Sequence, residues 1–315
     1  MRKLRCRNRQ GHDRDVTPGW CSRVDNGYGR LKVTEVSRVK VLRCRLTEDV
    51  FSVPVHEYVS QLIPEDFYSR VLSRRISYYT GRLMLASALA GFCGVRGLLE
   101  TDICCSEHGK PYLTESFYLR TGIRKKIGFN ITHSGNFLYM SFADAETSID
   151  LEKIKLRKTM HDVAGKYYSP AENRVMAEAG EREAEWFFHF WTVRETLVKY
   201  SGNGLPDMNR FSFSVPAADS GDAESFDFAG KMDITPPEDC SVYRRDSVIA
   251  TFLINEESAA GGEQYSLSLY LDSFSDLASV EFLNMRIPDA THAEPDFIRI
   301  PAPRSIQLVS RISGR

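Results

Sequence analysis

Twice along this 315-residue chain a long helix-forming stretch with an apolar face runs into short segments that alternate apolar and polar residues. The first is led by RLMLASAL (82–89) and followed by IGFNIT and FLYMSFA. The second is led by FWTVRETLVK (190–199) and followed by FSFSV, SVIATFLI and QYSLSLYL. Helices bury a stripe of period 3.6 and strands a face of period 2, so each helix has strands of its own to cover. The pattern predicts a mixed α+β fold. It is a repeat of secondary structure, not of sequence.

Around this frame we expect a flexible leader over residues 1–36, an N-terminal half over 37–145, a C-terminal half over 146–275 and an irregular tail over 276–315. VKVLRCRL (39–46) reads as a strand, with Val39, Val41, Arg43 and Arg45 on one face and Leu42 and Cys44 on the other. VHEYVSQLIPEDFYSRVLSRRI reads as helix, a break at Pro64, and helix again. The small acidic stretch PAADSGDAESFDFAG (216–230) is expected to be a mobile loop. Proline punctuation in IPDATHAEPDFIRIPAPRS argues that the tail stays out of any core. Gly91, Gly94 and Gly97 lie at the far end of the first helix with no strand before them, which suits a C-cap better than nucleotide binding.

Composition narrows the chemistry. With 42% hydrophobic and 26% charged residues and a net charge of −1, any anion site must come from local clustering. Seven cysteines without a C-x-x-C pair argue against both a disulfide framework and a zinc site. No apolar run approaches the roughly 20 residues needed to span a bilayer. The basic start MRKLRCRNRQGHDRD has no apolar core, so it is no secretory signal. The expectation is a cytoplasmic chain without nucleic-acid or membrane partners.

Three segments carry candidate chemistry. In SIDLEKI, a strand puts Asp150 and Glu152 on one face and Ile149 and Leu151 on the other. Such a carboxylate pair is either a solvated edge face or a hard-cation site with oxygen ligands. In FWTVRETLVKYSGNGL, Glu195 and Lys199 stand at i, i+4, the favoured order for a surface ion pair. Trp191 shares their stripe, which points instead to the rim of an apolar cleft. In FNITHSGN, His133 and Ser134 are strand neighbours that point apart, so they form no catalytic pair. Lys110 in HGKPYL is no P-loop lysine, because Cys104 and Pro111 break that pattern.

In their order and spacing, these motifs resemble the Sfp-type 4′-phosphopantetheinyl transferases. The run is Arg82 on the first helix, HGKPYL, FNITHSG, SIDLEKI, then FWTVRETLVKYSGNGL, covering about residues 40–275. His133 precedes Asp150 by 17 residues and Asp150 precedes Glu195 by 45. The resemblance implies a pseudo-dimer of two similar α/β half-domains with coenzyme A in the cleft between them. It implies Mg²⁺-dependent transfer of the phosphopantetheine arm to a serine of an apo acyl or peptidyl carrier protein, releasing adenosine 3′,5′-bisphosphate. This is the activity of a holo-[acyl-carrier-protein] synthase, working as a monomer.

By the same match Asp150, Glu152 and Glu195 hold the metal, with Glu195 and Lys199 catalytic. Lys110 and His133 meet the adenosine 3′-phosphate region with Arg82 nearby, while Arg194 and Lys199 face the pyrophosphate. Arg70, Arg74 and Arg75 add positive charge before the first helix. Two positions depart from the family: Ser148 where glycine is usual, and Arg194 where lysine is usual. They leave open a non-catalytic relic that still binds coenzyme A and carrier. An unrelated Mg²⁺ phosphohydrolase would use the same carboxylates.

Overall fold

The computed structural model of the protein describes residues 39–51, 63, 66–214, 231–237, 242–244, 246–258, 261–287, 295–303 and 306–312. The expected leader, the helix before Pro64 and the acidic loop 216–230 lie outside the described residues. The strands are β1 (Lys40–Arg45), β2 (Ile103–Cys105), β3 (Pro111–Leu113), β4 (Gly128–Ser134), β5 (Phe137–Ala143), β6 (Ile149–Lys153) and β7 (Ser212–Ser214). They continue with β8 (Lys231–Thr235), β9 (Val248–Ser258), β10 (Gly261–Leu271), β11 (Glu281–Arg286), β12 (Asp296–Arg299) and β13 (Ile306–Ile312). One sheet runs β12-β11-β1-β5-β4 and a second runs β6-β10-β9-β13-β8-β7, with β2 and β3 as a separate hairpin. The fold is mixed α+β, as the alternating pattern predicts.

The helices are α1 (Leu72–Cys93), α2 (Glu115–Thr121), α3 (Met160–Tyr167), α4 (Pro170–Glu178) and α5 (Glu183–Ser201). Helix α1 buries Leu83, Met84 and Leu89 against Leu42, Phe129, Met140 and Phe142 of the first sheet. Helix α5 buries Phe188, Phe190, Val193 and Leu197 against Ile249, Tyr270 and Leu308 of the second. Between the sheets, Val41, Phe137 and Tyr139 share a core with Ile149, Leu151, Phe252 and Leu267. The layers therefore run α1, first sheet, second sheet, α5, and alternate residues of each strand serve different cores. The ends of α1 and α5 are set by Gly94 (φ 68°) and Gly202 (φ 74°) in the left-handed region, which confirms the C-cap reading of Gly94. No described helix is long and apolar enough to cross a membrane.

The tail corrects an expectation. The described residues after 276 form strands: β11 pairs in parallel with β1, and β13 lies between β9 and β8. Phe282, Leu283, Met285, Leu308, Val309 and Ile312 are all buried. The prolines separate these strands without excluding them. A parallel partner needs a long crossover, so β11 and its partner β1 stand far apart in sequence and give no local pairing signal.

The sheets are joined by side chains where a backbone ladder would otherwise run. On β4, Asn130 Oδ1, Thr132 Oγ1 and Ser134 Oγ accept from the β6 amides of Ile149 (3.4 Å), Leu151 (3.1 Å) and Lys153 (2.9 Å). The period of 2 on one strand matches the period of 2 on the other, so three polar side chains satisfy three edge amides. Thr132→Val keeps the shape but orphans the buried Leu151 amide, so urea unfolding is expected to show a loss of about 1–3 kcal/mol.

Candidate active site

The junction of β4 and β6 is also where the predicted carboxylates stand. Asp150 and Glu152 share a face while Ile149 and Leu151 enter the inter-sheet core, as the alternation requires. Thr132 Oγ1, already accepting from Leu151, donates to Asp150 Oδ1 at 3.1 Å. Ser134 Oγ, accepting from Lys153, donates to Glu152 Oε2 at 3.1 Å. Each hydroxyl thus holds the strand with its lone pair and a carboxylate with its proton.

Helix α5 supplies the facing groups. Lys199 Nζ lies 2.5 Å from Asp150 Oδ1 and 3.5 Å from the Ile149 carbonyl. Arg157 Nη2 pairs with Glu152 Oε2 at 3.2 Å. Asp150 Oδ2 is buried and has no hydrogen-bond partner. Glu195 is half-buried, and its carboxyl is pushed up to about 7. Burial is the main cause, Asp150 and Glu152 add to it, and Lys199 opposes it. Glu152 is raised too, by burial first and then by Asp150. His133 is exposed on one side, yet its pKa is lowered, first by burial and then by Lys199, with Asp150 opposing.

The remaining candidates are placed as follows. Lys110 donates to the Tyr200 carbonyl at 2.7 Å and pairs with Glu146 at 2.5 Å, at the C-terminal end of α5. Arg82 lies on Tyr78, its Nε 3.3 Å from the phenol oxygen, and has no contact with the carboxylates among the described residues. Of the basic residues before it, Arg70 pairs with Asp66 and Arg75 lies over Phe51 and Phe67. Arg194, expected to face the pyrophosphate, is turned away from the junction instead. Its side chain is fully buried and forks onto Glu172 with two contacts of 2.7 Å, and its guanidinium lies 3.8 Å from the Phe213 ring. Glu172 in turn closes the capping box of α4 with Ser169. The guanidinium is a structural counter-ion, and its planar fork explains arginine here, because lysine cannot bind bidentately. Trp191 packs on Phe187 and Tyr167 in the core of the second sheet and does not line a cleft rim. Ser148 is accounted for as well: its hydroxyl donates to the Thr196 carbonyl at 2.8 Å, tying β6 to α5 beside Glu195.

Whether these residues suit a metal turns on charge. Among the described residues, no three His, Cys, Asp or Glu side chains converge as a ready cage. Yet Asp150 keeps one buried oxygen unpartnered, and its charge raises the affinity of Glu152 and Glu195 for protons. Oxygen donors short of positive charge are the donor set a hard divalent cation takes. The sequence did not single out Thr132, and it raised Ser134 only to set it aside as a catalytic partner of His133. The signal was present as N-x-T-x-S on a strand, but its meaning depends on β6 lying alongside.

Residues 148–251 match the model of the 4′-phosphopantetheinyl transferase superfamily. Over that segment the chain is similar to the 4′-phosphopantetheinyl transferases. It is 31% identical to a 4′-phosphopantetheinyl transferase of Bacillus subtilis over 116 residues, 36% of this chain and 47% of that protein. It is 24% identical to 4′-phosphopantetheinyl transferase HetI of Nostoc sp. over 169 residues, 53% and 68% of the two chains. With 4′-phosphopantetheinyl transferase AcpT of Salmonella typhi it shares 27% over 147 residues, 46% and 68%. The chain thus spans between about half and two thirds of the length of these curated relatives. The segment matching the transferase model contains β6 and α5, hence Asp150, Glu152, Glu195 and Lys199.

Two measurements separate the roles of the charged residues on α5. Arg194→Ala leaves Glu172 buried without its counter-charge and should cost about 3–5 kcal/mol in chemical denaturation. Glu195 is different, because its folded pKa lies above its unfolded value. Its contribution is complete below about pH 4.5 and is lost as pH rises through about 7. In chelator, Glu195→Gln should therefore melt at a higher temperature than the parent at pH 8, with the gap closing toward pH 5. A gap of equal size at both pH values contradicts the raised pKa.

Proposed function

We propose that this chain transfers the 4′-phosphopantetheine arm of coenzyme A to a serine hydroxyl of an acyl or peptidyl carrier protein, releasing adenosine 3′,5′-bisphosphate. The observation that carries the reading is the contact of Lys199 with Asp150 beside a Glu195 poised near neutrality. The relatives' shared name supports the transferred group. In this reading the two sheets with their outer helices are the halves of a pseudo-dimer, and coenzyme A lies along their junction.

The chemistry follows from the residue types. The serine oxygen forms a bond to the phosphorus that carries the pantetheine arm, and the bridging P–O bond to the adenosine part breaks. Glu195, directly or through a water on the metal it would help hold, takes the serine proton. Lys199, released from Asp150, offsets charge on the leaving oxygen. Lys110 and His133 take the 3′-phosphate end, with Arg82 on the adjoining helix. Mg²⁺ held by Asp150, Glu152 and Glu195 would neutralise the pyrophosphate and orient it. Arg194 has no part beyond holding α4 against α5.

The test is transfer from labelled coenzyme A to several apo carriers, scored by the mass gain of each carrier in the presence of Mg²⁺. Glu195→Ala is expected to reduce turnover at least about 10²-fold. Near-parental turnover in that variant removes Glu195 from the mechanism. Binding of coenzyme A without any transfer identifies a relic, and consumption of coenzyme A without carrier identifies a hydrolase.

A further inference from the structure

The interface between α5 and β10 is polar at its centre, although both elements had apolar residues available. Ser266 and Ser268 of β10 and Thr251 of β9 point toward His189 and Thr192 of α5, and all five are fully buried. Thr251 lies 2.8 Å from Ser268, Ser268 2.8 Å from Thr192, and Thr192 2.9 Å from Ser266. Ser266 lies 2.8 Å from His189 Nδ1, and His189 Nε2 lies 3.4 Å from Glu185. Glu185 is anchored outside the seam by Arg182.

The carboxylate sets the direction of the bonds at its end of this chain. The Glu185 carboxylate only accepts, so His189 donates from Nε2 and accepts at Nδ1. Ser266 must then donate to His189, whereas the one Thr192 proton is shared between Ser266 and the His189 carbonyl 3.2 Å away, and Ser268 and Thr251 complete the network. Burial lowers the His189 pKa, which keeps the imidazole neutral and able to accept from Ser266. Thr196 extends the same stripe by donating to the Ser268 carbonyl at 3.3 Å.

Such a seam has little to offer stability. Replacing both partners of a buried hydrogen bond by apolar groups of the same shape is often neutral or stabilising. What hydrogen bonds add is direction: apolar contacts tolerate a slide or rotation that this chain does not. The strand side of the seam is in register with the site, since Ser266 pairs with Glu152 and Ser268 with Asp150 across β10 and β6. On the helix side, Thr192 lies within a turn of Glu195 and about two turns before Lys199.

We propose that Thr192, Ser266, Ser268 and His189 are positioning residues, which set the rotation and register of α5 so that Glu195 and Lys199 meet Asp150 and Glu152. This rests on the transferase reading, and the test keeps the two apart. The double variant T192V/S268A removes both hydroxyls while nearly conserving shape, and T192S retains the hydroxyl. The double variant is expected to melt within a few degrees of the parent, to keep its KM for coenzyme A, and to lose about 10- to 100-fold in kcat. T192S should retain the parental kcat. Amide hydrogen exchange over residues 192–199 should be faster in the double variant and unchanged in T192S.

An unchanged kcat in the double variant overturns the proposal. So does a kcat loss that merely follows a lowered melting temperature, or one that T192S shares. If the parent transfers nothing to any carrier, the transferase reading fails, and hydrogen exchange alone then decides whether the seam holds α5. Equal exchange over 192–199 in the parent and double variant overturns it.

Discussion

The architecture depends on three side chains that stand in for a strand. Asn130, Thr132 and Ser134 accept the amides of Ile149, Leu151 and Lys153, so β6 begins a second sheet while remaining fastened to the first. A backbone ladder would have continued one sheet and left no junction. Side-chain acceptors satisfy the edge amides, and two of their hydroxyl protons are then free for Asp150 and Glu152. The link between the sheets and the orientation of the carboxylates are one set of hydrogen bonds. A change in either disturbs the other.

Helix α5 uses its charges for two unrelated purposes within six residues. Arg194 is fully buried and wholly committed to Glu172, a pair that low dielectric makes costly to break. One position on, Glu195 carries a raised pKa without a dedicated counter-ion, and Lys199 reaches across to β6. Adjacent helix residues point about 100° apart, so the same segment faces the core of the second sheet and the junction. The aromatics Phe190 and Trp191 belong to the former, and they give the latter a rigid base.

Much of the fold was legible because it rests on local periodicity. The alternation of FNIT, FLYMSFA and SIDLEKI specified strands and their faces, and the glycines after α1 and α5 marked the ends of those helices. The grouping of Asp150 and Glu152 also follows from period 2 alone. The C-terminal strands were not legible in this way. The stretches FLNM and IQLVSRI are apolar enough for strands, but β11 finds β1 across most of the chain, and nothing local to either announces the pairing.

The sequence by itself determined which residue types were available for chemistry, which strand face carried them and where the helices stop, since these depend on neighbours within a few positions. Only the tertiary structure decided their partners. Arg194, read as a phosphate ligand, became the counter-ion of Glu172; Ser148, read as a departure, became the hydroxyl tying β6 to Thr196. Thr132, unremarkable in sequence, and Ser134, set aside there as no catalytic partner of His133, became the supports of the carboxylates. Charge and hydrogen bonding act over a few ångströms of space, and folding sets those distances with little regard to separation along the chain.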